Sequence, residues 1–308
     1  MRVGTRGSAL ALTQAGTVAA LLGGDAQLVP ITTSGDRNRA GSDTPFGAQD
    51  KERWVKELEL ALQAGEVDLV VHSAKDVPSV LPEGLELVGA PPRADPFDAL
   101  VGAPSLRELR AGARVGTASL RRAAQLRALR DDVEVVVVHG NVDTRLRLLA
   151  EGDLDALVLA AAGLRRLGRE AAIGCRLTEL VPAAGQGTLA LEARAGDERA
   201  GAAARAITDA ASWDALSAER VLVARLNASC NTPLGAHAVI TAGGVGGLVS
   251  PRDGVVLRTF VGLPDGSAWL RDETPAAATP VEAGELAAER LLAAGAAELL
   301  RRAEELAA

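Results

Sequence analysis

Short apolar runs alternate with helix-period segments over the first ninety residues. Leu28 to Thr32 and Val67 to Ser73 read as strands. Between them, apolar residues at 54, 55, 58, 61 and 62 recur at helical spacing until Gly65 stops the helix. The run Asp68-Leu69-Val70-Val71-His72 is almost continuously apolar, as in a parallel strand covered on both faces. The pattern breaks at the prolines of 91–96, where a crossing between domains is expected. A second alternating region follows: strand at Arg114 to Gly116, helix from Ser119 to Leu129, strand at Val133 to Val138, helix from Val142, strand at Ala156 to Leu159, then another helix. Val181 to Gly187 is a glycine-bearing link suited to carry the chain back to the first region. From about Ser212 the character changes: a helix at Ala215 to Leu226, strands at Ala236 to Thr241 and Val255 to Val261, then two helical segments over 281–308 parted near Gly295.

The predicted fold is therefore α/β, with two lobes joined by a hinge and a small α+β domain at the C-terminus. The expected divisions are 1–92 with 188–210, then 93–187, then 211–308. A chain of 308 residues has room for that many cores. Two crossings between two lobes make a cleft, the usual place for a ligand.

Charge changes the picture by its placement. The net charge of -7 argues against nonspecific nucleic-acid binding. It does not argue against an anionic ligand, because exposed charges are screened beyond about 8 Å at physiological ionic strength. Of 33 basic residues only Lys51, Lys56 and Lys75 are lysines. Arginines gather where strands should give way to helices: Gly4 to Ser8, Val115 to Arg122, His139 to Arg147 and Ala162 to Arg166. The first N–H groups of a helix lack internal partners, and a guanidinium beside them adds a planar fork of donors that a carboxylate fits twice over. No long apolar segment reads as a signal or a membrane span, so a cytoplasmic location is expected. Cys175 and Cys230 are far apart, and with three scattered histidines they show no metal-ligand spacing.

Lys75 and Asp76 follow the carboxyl end of a predicted buried strand, the edge where open α/β sheets place ligands. From position alone, Asp76 reads equally as a turn cap before Pro78 or as a group for proton transfer and cation stabilisation. His72 belongs to the apolar strand and reads as a satisfied core residue. Cys175 reads as a small buried hydrophobe, whereas Cys230, among small and polar neighbours ending at Pro233, reads as a loop thiol able to react.

These residues resemble the hydroxymethylbilane synthase (porphobilinogen deaminase) family. The resemblance runs from Arg2 to the terminal helices through GTRGSALAL, TTSGD at 32–36, VKELE at 55–59, HSAKDVP at 72–78, ADPFDAL at 94–100, VGTASLRR, GNVDTRL, LAAAGLRRLG, PAAGQG and the Cys230 loop. It implies two lobes like those of type II periplasmic binding proteins and a third domain carrying a cofactor cysteine. It also implies a dipyrromethane joined to Cys230 by a thioether, onto which four porphobilinogens condense head to tail with loss of ammonia. Hydrolysis then releases the linear tetrapyrrole. By resemblance, Asp76 is the catalytic group at the pyrrole nitrogens. The cofactor is held by Ser8, Lys75, Asp76, Thr117, Ser119, Arg121, Arg122, Arg145 and Gln186. The substrate is held by Arg6, Ser8, Arg145, Arg166 and Trp54. No metal is implied, and the partner is porphobilinogen, bound by a monomer.

The chain departs from the family pattern in places. His139 stands where Arg is common, Ala118 where Ser is usual, Trp54 where Phe is common, and Ala228-Ser229 where a Gly-Gly pair precedes the cysteine. Gln49 to Trp54 is more charged than the usual glycine-rich loop. Two other readings stay open at this point: a noncatalytic carboxylate-binding protein of periplasmic-receptor type, and an impaired paralogue.

Overall fold

A computed structural model describes residues 1–24, 26–33, 49–228, 232–241 and 254–307, without the side chains of 49–54 and 307. The first sheet begins with β1 (Arg2–Arg6), α1 (Ala9–Leu22), β2 (Gln27–Ile31), α2 (Gln49–Gln63), β3 (Leu69–Ser73) and β4 (Leu85–Gly89). The chain then enters a second sheet through β5 (Asp98–Val101), β6 (Arg114–Gly116), α3 (Leu120–Leu129), β7 (Glu134–Val136), α4 (Val142–Ala150), β8 (Ala156–Ala160), α5 (Ala161–Arg166) and β9 (Ile173–Leu177). It returns to the first sheet as β10 (Leu189–Arg194), followed by α6 (Glu198–Ala206). The rest is α7 (Ala210–Arg225), β11 (Leu234–Thr241), β12 (Gly254–Gly262), β13 (Trp269–Glu273), α8 (Pro280–Ala293) and α9 (Ala296–Ala307).

The two five-stranded sheets have equivalent orders, β2-β1-β3-β10-β4 and β7-β6-β8-β5-β9. In each, the strand arriving from the other sheet runs antiparallel to its neighbours. This is the pair of type II periplasmic-binding-protein lobes that the resemblance implies. A three-stranded antiparallel sheet, β11-β12-β13, forms the C-terminal unit with α7, α8 and α9.

Burial explains why the strands read so clearly. In β3, Leu69 and Val71 pack with Val3, Val18 and Leu191 on one face of the sheet, while Val70 packs with Leu58 and Leu62 of α2 on the other. A strand covered on both sides has no polar face, hence its unbroken apolar run. In α2, Val55, Leu58, Ala61 and Leu62 are buried, and Gly65 ends the segment at a φ of +69°. In the C-terminal unit, Leu222 of α7, Leu257 of β12 and Leu291 of α8 share one core. No described helix is long and apolar enough to cross a membrane.

The differences from expectation have physical causes. The strand expected over Val133 to Val138 pairs only at Glu134–Val136, because its one neighbour β6 is itself three residues long, and Val137 is left exposed. Helix α7 starts at Ala210, before Ala215, because Asp209 accepts a hydrogen bond from the Ser212 N–H at 2.8 Å and caps it. Strands β4, β5, β9, β10 and β13 were not read from the pattern. In β9 and β13 the cause is an edge position with alternating exposure, which breaks up the apolar signal.

Candidate active site

The carboxyl ends of β1, β3 and β8 open onto a cleft of about 750 Å3 between the two lobes. Parallel strands bring their ends to one edge, so residues far apart in sequence meet there. From the first lobe come Arg6, Ser8, Lys75 and Asp76; from the second, Ser119, Arg122, His139, Arg145 and Arg166. Helix α7 of the C-terminal unit adds Arg220.

Local structure aims these groups. Ser8 is the N-cap of α1, its Oγ accepting from the Ala11 N–H at 3.3 Å, which fixes the turn after Arg6. Lys75 and Asp76 sit on a 3-10 turn, Ala74–Asp76, directly after β3. That turn is braced by the return link: Ala74 N donates to Thr188 O at 3.0 Å, and Gly185, at a φ of +70°, packs so closely that a Cβ would lie 2.9 Å from Ala74. Glycine is needed there both for the left-handed backbone and for the approach. Ser119 caps α3, and Asn141 caps α4 with its Oδ1 accepting from the Thr144 N–H at 2.8 Å.

Two kinds of arginine emerge. Arg121 and Arg122 are buried and converge on Asp98, which is fully buried at the start of β5, at 2.9 and 2.7 Å. Arg121 also donates to Val181 O and Arg122 to Val158 O. Burial would raise the Asp98 carboxyl, but the two guanidiniums and Gln186 hold it well below the usual carboxylate range. Gln186 is itself 1 % exposed, donating to Pro96 O at 2.7 Å and Asp98 Oδ1 at 2.9 Å. This cluster lies in the cleft wall and ties β5, α3 and the return link together.

Arg145 and Arg166 differ. Their side chains donate to backbone carbonyls, Arg145 to Gly140 O at 3.1 Å and Arg166 to Gly187 O at 2.7 Å, and among the described residues neither pairs with a carboxylate. Burial, aided by Arg122, pushes Arg145 down to about 10, and burial pushes Arg166 down to about 10. Partly desolvated cations facing an open cleft without counter-charge favour an anionic occupant.

The sequence reading and the structure part company at some residues. Thr117 is 2 % exposed, does not line the cleft, and uses its Oγ1 to accept from the Ser119 N–H at 3.3 Å. That bond supports the turn that carries Ser119. Arg121 and Arg122, expected as clamps for ligand carboxylates, have Asp98 as their carboxylate. Trp54 lies on α2 but its side chain is outside the described residues, as are Cys230 and Ser229 entirely. Ala228 and Thr232, the nearest described positions on either side of Cys230, both line the cleft. His72 is a buried partner of Glu192 at 2.7 Å, as expected of a core residue.

Asp98 was missed, although an acidic residue opening the apolar run Asp98-Ala99-Leu100-Val101 signals a buried charge that needs partners. Glu219 was missed too. It is fully buried and binds Arg93 at 2.7 Å, the Gly185 N–H at 2.5 Å and the Ala238 N–H at 2.8 Å. It therefore joins both crossings to the C-terminal sheet. Nothing in its helical surroundings distinguished it by sequence.

Comparison with known proteins agrees with this geometry. The family model "Porphobilinogen deaminase, dipyromethane cofactor binding domain" matches residues 1–202, and "Porphobilinogen deaminase, C-terminal domain" matches 213–293. The chain is 45% identical over 309 residues to a porphobilinogen deaminase of Roseiflexus sp. (strain RS-1), covering 97% of each. It is 44% identical over 315 residues to that of Deinococcus radiodurans, covering 98% of each. Among solved structures, the methionine-binding protein MetQ matches 69% of this chain and 91% of its own at 15% identity and a TM-score of 0.43, too loose a likeness to argue from.

Proposed function

The chain belongs to the porphobilinogen deaminase family, transferases that build a linear tetrapyrrole on a dipyrromethane cofactor, and from that premise we propose how its own residues share the work. The observation that carries the assignment is the pair of uncompensated guanidiniums, Arg145 and Arg166, in the same cleft as Asp76. Each porphobilinogen brings an acetate and a propionate, so a growing chain presents a row of carboxylates. Charge-assisted hydrogen bonds contribute on the order of 1.5 to 3 kcal/mol each, and a few suffice to hold such a ligand.

The residues present fit the cofactor: the cleft is large enough for linked pyrroles, and Arg145 and Arg166, which pair with no carboxylate among the described residues, are cationic where the cofactor is anionic. Held by a thioether to Cys230, the dipyrromethane supplies the nucleophilic pyrrole carbon to which the first substrate is joined. Ser8, Lys75, Ser119 and Arg145 are the residues placed to hold its side chains, and Arg6 and Arg166 those of the incoming substrate. Asp76 accepts a hydrogen bond from the substrate's pyrrole N–H and stabilises the azafulvene-like cation left as the aminomethyl nitrogen departs as ammonia. Its carboxylate then takes the proton released when the new carbon–carbon bond forms. Arg121, Arg122 and Gln186 fix the cleft wall through Asp98, and Thr117 supports it from behind. The same reading takes the protein as a cytoplasmic monomer, which light scattering and cell fractionation test.

Intact-mass measurement decides the cofactor assignment. An adduct of dipyrromethane mass that disappears in Cys230→Ser is expected; an unmodified wild-type mass from cells making porphobilinogen overturns it. Asp76→Asn is expected to keep fold and adduct while losing at least about a hundredfold in porphobilinogen turnover, the scale of a lost acid-base group. Near-normal turnover in that variant assigns the catalysis elsewhere.

A further inference from the structure

The turn that carries Asp76 is held from behind by α7, the helix that runs towards Cys230. Along α7, Trp213, Leu216 and Arg220 stand at i, i+3 and i+7 and so share one face. Trp213 and Leu216 pack with Ala74, Val77 and Leu81, which flank Lys75 and Asp76 in the chain. One turn further along, Arg220 reaches over the same segment. Its guanidinium donates from Nη2 to Pro78 O at 2.9 Å and to Ser79 O at 3.0 Å. Past these carbonyls the segment comes to the surface, with Val80 78% exposed.

The residue before Arg220 braces the other end of the turn. Glu219 accepts from the Gly185 N–H at 2.5 Å, and Gly185 abuts Ala74 and the Lys75 nitrogen so closely that a Cβ there would lie 2.9 and 3.0 Å from them. Two consecutive residues of the C-terminal unit therefore fix the catalytic segment on both sides of Asp76. Glu219 acts on its start through the return link, and Arg220 acts directly on the two peptide groups that follow Val77. Cys230 comes ten residues after Arg220, so one stretch of chain both grips the Asp76 turn and leads to the cofactor thiol.

We propose that Arg220 is a positioning residue for the condensation: by gripping Pro78 O and Ser79 O from α7, it sets the Asp76 carboxylate relative to the unit that carries Cys230. The proposal rests on the reading that Asp76 acts on the pyrrole nitrogens of a chain attached at Cys230. Arg220 also lines the cleft, so the rival role is a clamp for a ligand carboxylate. The two roles differ kinetically. A residue that places a catalytic group acts on kcat, whereas a clamp that holds ground state and transition state alike acts on KM.

The test compares wild-type, Arg220→Met and Arg220→Lys holoenzymes by porphobilinogen kinetics and by amide hydrogen exchange. In Arg220→Met, kcat is expected to fall roughly tenfold or more with KM within about twofold, since a misplacement of about 1 Å can cost about a hundredfold. Exchange over residues 77–81 should quicken, including the Val77 N–H that donates to Ala74 O at 3.2 Å, while β10 stays as protected as in wild type. Arg220→Lys keeps an ammonium that can donate to two carbonyls from a shorter stem, so it should fall between the other two in both kcat and exchange. It also carries the test if the methionine variant does not fold. A raised KM at unchanged kcat, unchanged exchange over 77–81, or kcat and exchange that move out of step overturns the proposal. Wild type that turns over no porphobilinogen fails the underlying reading instead, and the exchange comparison still reports whether Arg220 holds the turn.

Discussion

At the scale of the residue, the arginines of this chain divide by what neutralises them. Arg121 and Arg122 share the buried carboxylate of Asp98, whereas Arg145 and Arg166 donate to carbonyls and pair with no carboxylate among the described residues. The first pair builds the wall and the second faces the open cleft. Removing the charge of Asp98 leaves two buried guanidiniums uncompensated, which typically costs about 3–5 kcal/mol. Asp98→Asn is therefore expected to lower stability by that order in urea unfolding, while Arg145→Leu is expected to change stability little and raise KM for porphobilinogen. An Asp98→Asn protein as stable as wild type would show that the cluster is not what holds the wall. Sequence placed all four arginines at strand-to-helix turns but had no means of sorting them. The deciding partner, Asp98, lies over twenty residues before the arginines, on a strand the pattern did not reveal.

At the scale of the element, two of the arginine-bearing turns are built the same way: a strand ends, a polar residue caps the next helix, and the arginine follows within the first turn or so. Ser119 precedes α3 and Asn141 precedes α4 in this manner. Such caps contribute about 1 kcal/mol each. Asn141→Ala should lose about that much stability and also weaken substrate binding, because the first turn of α4 carries Arg145. Circular dichroism melts and KM together check this; an unchanged KM would mean that Arg145 is positioned by its bond to Gly140 O rather than by the cap. Elements with a buried face on both sides, such as β3, or with a strong helical stripe, such as α2, were legible because burial dictates their residue types. Edge strands β9 and β13 were not, since solvent on one side admits polar residues.

At the scale of the whole molecule, three units meet at one buried carboxylate. Glu219 of α7 binds Arg93 on the first crossing, Gly185 on the second and Ala238 in β11. The crossings also bond to each other, Ala94 N to Gly187 O at 3.1 Å. These bonds tie the three units together, so Glu219→Gln is expected to lower the melting temperature and to broaden or split the calorimetric transition as the units uncouple. A single transition at the wild-type temperature would place the coupling elsewhere. The sequence by itself determined the α/β alternation, the two crossings and the C-terminal change of character, and it put Asp76, Arg145 and Arg166 at the strand-to-helix turns that line the cleft, because local burial and turn chemistry leave their mark residue by residue. Only the tertiary structure decided which cations stay uncompensated, that Thr117 supports rather than lines the cleft, that Glu219 joins three units, and that His139 is the histidine left on the cleft. Those properties belong to contacts between residues distant in the chain, and a charge is defined by its surroundings as much as by its side chain.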